Sequence, residues 1–328
     1  SKIHPIDLGA EVVDALVAKT GVAVSEIDDL IFGCVSQVGA QSSNIARNIC
    51  LSSVLGEVVP GTTVDRQCGS GQQAMHFAAQ GVLSGTQDLV IAGGVESMSQ
   101  VPIGANIIDG YKAEHGLPYG KKMSERYPGV QFNQFAGAEM LAHKYELTQN
   151  ELNAFAFDSH VKAKRAVLEG RFKDEIVAIQ IELEDGTTES HEQDEGIRMD
   201  ATLGAIAGLQ PLQENGLLSA ANASQICDGA AAVMIANGAT CKRLGLKPLA
   251  RIVAMSVIGS DPVIMLEGPI PATQKVLEKA NLSVDDIDLF EVNEAFGSVP
   301  LAWVKALGAD ISKLNVNGGA QALGHPLG

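Results

Sequence analysis

The 328-residue chain reads as an α/β protein with mainly parallel strand pairing, and three observations point there. Short apolar runs alternate with helical patterns. Glycine is abundant (35 residues) while aromatics make up only 4%, which suits tight strand–helix turns better than a Leu/Phe-rich helical bundle. One α/β unit also recurs along the chain.

Taken in order, the first element is a helix from Pro5 to Lys19, with apolar residues at Leu8, Val12, Ala15 and Leu16. Ile27–Val35 reads as a buried strand. Gly61–Gln67, rich in Thr and Val, reads as a second strand and runs through Cys68-Gly69-Ser70-Gly71 into a helix over Gln72–Val82. Asp88–Gly93 is apolar enough for a strand covered on both faces. Between about Ser99 and Gln225 the chain becomes loops and charged helices. It includes an amphipathic helix over Gln149–Leu168 and an acidic stretch, Glu182–Glu195, read as solvated. Strand character returns at Gly229–Ala236 and Leu249–Val257.

The repeat links Pro5–Gly33 with Pro269–Asn293: a helix, a Ser/Asp-bearing turn, then an Ile-Asp-(Asp)-Leu strand. Thr62–Ala74 then pairs with Lys313–Gly324: strand, glycine turn, helix start. Length alone predicts roughly two domains, or one large one with an insertion. The repeat favours two copies of one unit, the first interrupted by the middle segment.

Composition narrows the function. Hydrophobic residues at 46% and charged residues at 19% exclude a disordered chain. With 23 Lys+Arg against 39 Asp+Glu, the net charge of −16 argues against a phosphate-backbone reader and predicts no nucleic-acid partner. The five cysteines, Cys34, Cys50, Cys68, Cys227 and Cys241, include no CxxC pair, which argues against a disulfide framework and a structural zinc. No apolar run is long enough to span a bilayer, so no membrane insertion is expected; no secretory signal is seen. A cytoplasmic location is the expectation, with an organelle matrix as the alternative. Both ends read as trimmed, the last residues stopping in mid-motif.

Chemistry concentrates at Cys68. A cysteine between a strand and a helix start places its sulfur where peptide dipoles favour thiolate, so a reactive nucleophile is expected. The other four cysteines read as small buried residues. In the second copy the matching turn leads to Gly324-His325-Pro326, so His325 stands in a pseudo-equivalent place and pairs with Cys68 as base. The remaining histidines, His4, His76, His115, His143, His160 and His191, read as core or solvated. Asn293, after the strand of the second copy, is either an oxyanion or water ligand or a helix cap.

These blocks carry a resemblance. Asp65–Ala74 (DRQCGSGQQA), Ile91–Ser99 (IAGGVESMS), Ser219–Val233 (SAANASQICDGAAAV), Asn293–Phe296 (NEAF) and Asn315–Gly328 (NVNGGAQALGHPLG) resemble, in order, the signature blocks of thiolases. The resemblance spans essentially the whole chain. It implies the thiolase fold, two similar α/β halves in a five-layered αβαβα arrangement with a loop domain inserted in the first. On that basis residues 1–98 with 227–249 form the N-terminal half, 99–226 the inserted CoA- and substrate-binding domain, and 250–328 a C-terminal half cut short.

It further implies Cys68 as the acylated nucleophile, His325 as its activator and thioester-oxygen ligand, and Asn293 as holder of the oxyanion-site water. Ser224 and Ala220 are implied as coenzyme A contacts along the pantetheine arm, Arg198 as one near the nucleotide, and Phe296 as pocket wall. No tightly bound cofactor and no metal are expected; coenzyme A is a co-substrate, acyl-CoA esters are the partners, and a homodimer or homotetramer is implied.

Two departures bear on function. The family continues beyond Gly-His-Pro-Leu-Gly to a Cys-x-Gly-Gly segment with a second catalytic cysteine, and begins with a strand ending in Arg-Thr-Pro; the chain contains neither. Gln131-Phe132-Asn133-Gln134-Phe135 stands where biosynthetic members have Met-Gly-x-Thr and is similar to members that degrade longer or bulkier acyl chains, steroid side chains included. Thiolysis of 3-oxoacyl-CoA is therefore the expected activity, with acetoacetyl-CoA synthesis as alternative. A rival from another class is dinucleotide binding, since Gly69–Ala74 fits G-x-G-x-x-A with Asp88 about twenty residues on.

Overall fold

In the computed structural model, which describes residues 2–183 and 185–328, the first half is laid down as the repeat predicts. Helix α1 (Pro5–Thr20) starts at a proline, where no amide is needed, and stops at Gly21 in the left-handed region, φ 66°. His4 caps it through Nδ1, which accepts from the Ile6 amide at 3.3 Å. Strand β1 (Asp29–Gly33), helix α2 (Ile45–Ser52), strand β2 (Gly61–Val64), helix α3 (Ser70–Ser84) and strand β3 (Leu89–Ser97) follow.

The middle segment contributes α4 (Ala105–Lys112), α5 (Lys121–Arg126), α6 (Gln134–Lys144), α7 (Gln149–Leu168), a hairpin of β4 (Ile179–Glu182) and β5 (Thr188–His191), and α8 (Leu203–Ala207). That hairpin was hidden in the acidic stretch read as solvated, because its outward side chains are polar; Glu184 lies outside the described residues. Strand β6 (Asp228–Ala236) and α9 (Gly238–Arg243) return to the first half, and α10 (Pro269–Ala280), α11 (Ser298–Leu307) and α12 (Ala320–Leu323) complete the chain.

The main sheet runs β2-β1-β3-β6. β1 is parallel to β2 and β3, whereas β6 is antiparallel to β3 over nine registered pairs, Leu89 with Ala236 through Ser97 with Asp228. All of β3 is buried, as its apolar run requires. The second copy keeps the order of the first. Both starting helices end in a left-handed residue, Gly21 and Asn281. Both continue through a 3-10 turn, Val24–Glu26 and Val284–Asp286. The strand pair that follows is β1 with β2 in the first copy. In the second it is a single parallel bridge, Phe290 to Leu314, closed by Phe290 N to Lys313 O and Asn315 N to Phe290 O, both 2.9 Å.

The strand expected at Leu249–Val257 does not form. Two of its carbonyls are held by lysines of α10, Met255 O by Lys279 Nζ at 3.0 Å and Val257 O by Lys275 Nζ at 3.2 Å, and Leu249 is fully exposed.

Two cores hold the elements. The first gathers Leu8, Val13, Leu30, Phe32, Ile45, Ile49, Leu89 and Ile91. The second joins the insertion to the second copy: Leu141 and Leu152 pack with Phe296, Val299, Trp303 and Leu314. Each such buried side chain contributes about 1.5–3 kcal/mol. The insertion is thereby fixed to the segments that carry Asn293 and His325. Close approach at the top of the sheet depends on Gly33, where a Cβ would stand 2.6 Å from Gly71 N and from Ser70 C. Only glycine lets α3 begin directly against β1.

Candidate active site

Past β2 the chain makes a tight turn, Gly69 N donating to Arg66 O at 2.7 Å. Cys68 occupies its third position with φ 61°, a left-handed conformation that costs a non-glycine residue roughly 1–2 kcal/mol. Ser70, wholly buried, secures the turn: its Oγ accepts from Arg66 N and donates to Arg66 O, both 3.1 Å. Arg66 Nε is held by Gln73 Oε1 at 2.6 Å. The Cys68 side chain packs against Val35, Met98 and Leu327.

The expected thiolate is not the resting form. Burial first, then the Glu96 and Asp65 carboxylates, push the Cys68 thiol up. The helix itself begins only at Ser70, with Gly69 at its cap, so Cys68 lies outside its first turn. A base is therefore required. Burial also pushes the Cys34 thiol up, with Glu96 next in effect, and raises Cys50 and Cys227 to about 11 each. Cys34 and Cys50 are buried as expected, whereas Cys227 and Cys241 are only half-buried.

Glu96 was not singled out from sequence. It is completely buried at the end of β3 and accepts from Val35 N (2.8 Å), Ser36 N (3.0 Å) and Gln41 Nε2 (2.9 Å). Its charge is held by fixed dipoles, and it anchors the segment against which Cys68 packs. The signal was present: an acidic residue inside the otherwise apolar run Ile91–Met98.

His325 and Asn293 meet. Asn293 Nδ2 lies 3.3 Å from His325 Nε2, and His325 N donates to Gln225 O at 3.1 Å. Burial pushes the imidazole below its ordinary value, which keeps it neutral and able to take a proton. Leu327, two residues on, belongs to the cluster that holds Cys68, so the turn bearing His325 arrives at the turn bearing Cys68. Asn293 caps no helix; α11 starts at Ser298 after Gly297.

The next residue, Glu294, is 1% exposed and was likewise missed. It accepts from Ser159 Oγ (2.7 Å), Asn315 Nδ2 (2.9 Å) and Gln321 N (3.0 Å). Burial pushes its carboxyl up, against the pull of these donors.

Of the expected binding residues, Ser224 joins the same region: its amide donates to Ala295 O at 3.0 Å, and Ala223 bridges Phe296 antiparallel. Ala220 is exposed at the start of a 3-10 turn whose Asn222 carbonyl accepts from Gly297 N at 2.7 Å. Phe296 is 3% exposed and meets Phe135 edge to face, ring centres 5.3 Å apart. Arg198 stands elsewhere. Its amide donates to His160 Nδ1 at 3.1 Å, and it lines a hollow of about 510 Å³ beside α7, with Lys164 and Arg165. The charged lining of that hollow is Lys164, Arg165 and Arg198 with Glu169. A larger cavity of about 1060 Å³ behind Gly71, Gly94, Cys227 and Pro326 includes neither Cys68, Asn293 nor His325 in its lining, so size alone does not mark the reacting centre.

A partly buried cysteine in a strained turn and a half-buried histidine that meets an asparagine amide are groups that acyl transfer through a thioester would use. Comparison with known proteins agrees. Residues 1–239 match the thiolase N-terminal domain and residues 246–328 the thiolase C-terminal domain. The chain belongs to the thiolase family, and it is an acyltransferase with the thiolase fold. It is 46% identical over 328 residues to the steroid 3-ketoacyl-CoA thiolase FadA6 of Mycobacterium tuberculosis (strain ATCC 25618 / H37Rv), covering 99% of this chain and 79% of that one. It is 40% identical to the 3-ketoacyl-CoA thiolase of Bacillus subtilis (strain 168), covering 99% and 83%. Among solved structures it is similar to the Bacillus anthracis acetyl-CoA acetyltransferase, with TM-score 0.89 and 37% identity over 99% of this chain and 83% of that one. Family membership sets aside the dinucleotide reading of Gly69–Ala74. No helix among the described residues is long and apolar enough to cross a membrane.

Proposed function

We propose that this thiolase cleaves 3-oxoacyl-CoA with coenzyme A, giving acetyl-CoA and a shortened acyl-CoA, and that Cys68 carries the acyl group between the two. The observation that carries the reading is the contact of Asn293 Nδ2 with His325 Nε2 on a turn delivered to Cys68 by Leu327. Two relatives named as 3-ketoacyl-CoA thiolases, one of them steroid-directed, support the degradative direction.

His325 takes the thiol proton, and the Cys68 sulfur attacks the 3-keto carbonyl. The bond between C2 and C3 breaks, leaving acyl-Cys68 and the enolate of acetyl-CoA, whose C2 takes up the equivalent of the proton that His325 accepted, leaving His325 neutral. A second coenzyme A then gives its thiol proton to His325, its sulfur collects the acyl group, and His325 returns that proton to the departing Cys68 thiolate. Asn293 steadies the charge that builds on the reacting oxygen, directly or through a water. Ser224 and Ala220 hold the pantetheine arm, Arg198 the nucleotide end, and Phe296 with Phe135 the wall on the acyl side.

Residues 1–98 with 227–249, 99–226 and 250–328 serve as first half, insertion and second half. Coenzyme A is co-substrate only, the setting is a reducing compartment such as the cytoplasm, and the enzyme works as a homo-oligomer. Incubation with a 3-oxoacyl-CoA followed by intact and peptide mass measurement tests the reading: an acyl increment on Cys68 is expected, and its absence on active-form protein would sink it. Rates across esters of increasing acyl size separate bulky-chain cleavage from acetoacetyl-CoA chemistry.

A further inference from the structure

Glu294 has no part in the half-reactions above, yet its carboxylate is the meeting point of three segments. Ser159 comes from α7 of the insertion, Asn315 from the bridged strand of the second copy, and Gln321 from the first turn of α12, which leads to His325 four residues later. Asn315 also grips Val292 on both sides, accepting from its amide through Oδ1 and donating Nδ2 to its carbonyl, each 2.9 Å. Val292 immediately precedes Asn293. Ser159 Oγ in turn accepts from Gly319 N at 3.1 Å. A Cβ at Gly319 would stand 2.8 Å from Glu294 Cγ, so α12 begins in direct contact with this acid. The arrangement spans both residues of the functional pair: one hand on the strand end that presents Asn293, the other on the helix that presents His325.

We propose that Glu294 is the positioning residue that sets the contact between Asn293 and His325, an inference that rests on the thiolase reading of that pair. The donor arithmetic makes the role specific to a carboxylate. The Gln321 amide and the Asn315 amide group can only donate here, Asn315 being fixed in orientation by its own acceptance from Val292 N. Ser159 already uses its oxygen as acceptor for Gly319 N and has its proton for Glu294. An acceptor-only group satisfies all three. A glutamine turns one side into a donor and leaves one of them facing N–H, which shifts α12 or the Val292–Asn293 strand end by the clearance of a hydrogen bond. A shift of that size between reacting groups is what positioning effects on rate measure.

The test uses Glu294→Gln and Ser159→Ala in the full chain, each alone and combined with Asn293→Ala. Glu294→Gln is expected to lower kcat at least roughly tenfold with KM within about twofold, and Ser159→Ala to lower kcat less, in the same sense. With Asn293→Ala already present, Glu294→Gln is expected to cost under about threefold, because both act on one contact. Additive losses, or a lowered melting temperature with kcat unchanged, overturn the proposal. Should Glu294→Gln fail to fold, the cycle of Ser159→Ala with Asn293→Ala decides in the same way. The rate of Cys68 alkylation by iodoacetamide against pH is read alongside. It needs no acyl-CoA, so if the wild-type chain proves not to cleave 3-oxoacyl-CoA, an acid limb moved by Glu294→Gln still upholds the positioning role, and an unmoved limb overturns it.

Discussion

Asn293 Nδ2 and His325 Nε2 stand 3.3 Å apart, and since an amide nitrogen can only donate, the contact is made with the tautomer that carries its ring proton on Nδ1. In that tautomer the Nε2 lone pair is engaged by Asn293 and receives the Cys68 proton once the contact opens to substrate. Asn293→Ala removes both the donor that fixes this tautomer and the donor proposed for the oxyanion site. We expect kcat to fall on the order of a hundredfold with KM little changed, as for loss of one oxyanion donor, measured by steady-state thiolysis.

Burial holds the His325 imidazole below its ordinary value. A base with a depressed pKa stays unprotonated to lower pH, so activity persists as pH falls and is lost only as it passes below the usual histidine range. The acid limb of kcat/KM is expected there, and an acid limb above that range would contradict the assignment.

Burial, and after it the Glu96 carboxylate, push the Cys68 thiol in the opposite direction, up. Glu96→Gln deletes the negative charge and lowers the thiol pKa, so iodoacetamide should modify Cys68 several-fold faster near neutral pH and its alkylation midpoint should move down. A midpoint that stays in place, with the variant folded by thermal melting, would show that burial alone sets it.

The edge-to-face contact between Phe135 and Phe296 is worth about 0.5–1.5 kcal/mol in comparable pairs. Phe135→Ala should therefore reduce kcat/KM for bulky 3-oxoacyl-CoA esters relative to acetoacetyl-CoA by roughly two- to tenfold. An unchanged ratio would remove Phe135 from the acyl wall.

Helix α7, which delivers Ser159 to Glu294, begins at a capping box. Thr148 Oγ1 accepts from Glu151 N at 3.2 Å and Glu151 Oε2 from Thr148 N at 2.7 Å. Hydrogen bonds from the Thr148 backbone and hydroxyl, then Lys305, lower Glu151 to about 2. A depressed carboxylate contributes stability above its ordinary titration range and loses it as pH falls toward about 2. Thr148→Ala is expected to cost about 1 kcal/mol in denaturant titrations at neutral pH and progressively less in acid.

Much of this was legible before any coordinates. Cys68 and His325 draw attention in the sequence because glycine and proline mark their turns plainly, whereas Asn293 could be read equally as a helix cap. Helices α1 and α7 follow from periodicity and caps. What stayed hidden depends on distant partners. Glu96 shows only as an acid within a strand run and Glu294 only as the neighbour of Asn293, and the folded chain alone reveals the donors aimed at them. Leu249–Val257 has strand composition, yet no neighbouring strand pairs with it among the described residues, and lysines of α10 hold two of its carbonyls. The β4–β5 hairpin failed to show because only β4 alternates, over the four residues Ile179–Glu182, while β5 is polar and mostly exposed.

The left-handed backbone at Cys68 limits which side chains can ever stand there. Serine and alanine share its single-branched or bare Cβ and tolerate φ 61° no worse, so Cys68→Ser and Cys68→Ala are clean probes of chemistry. Threonine and valine add a second branch against the preceding carbonyl and distort the turn itself. The site can thus trade sulfur for oxygen by way of serine, but a threonine nucleophile is closed to it by geometry before any question of reactivity arises.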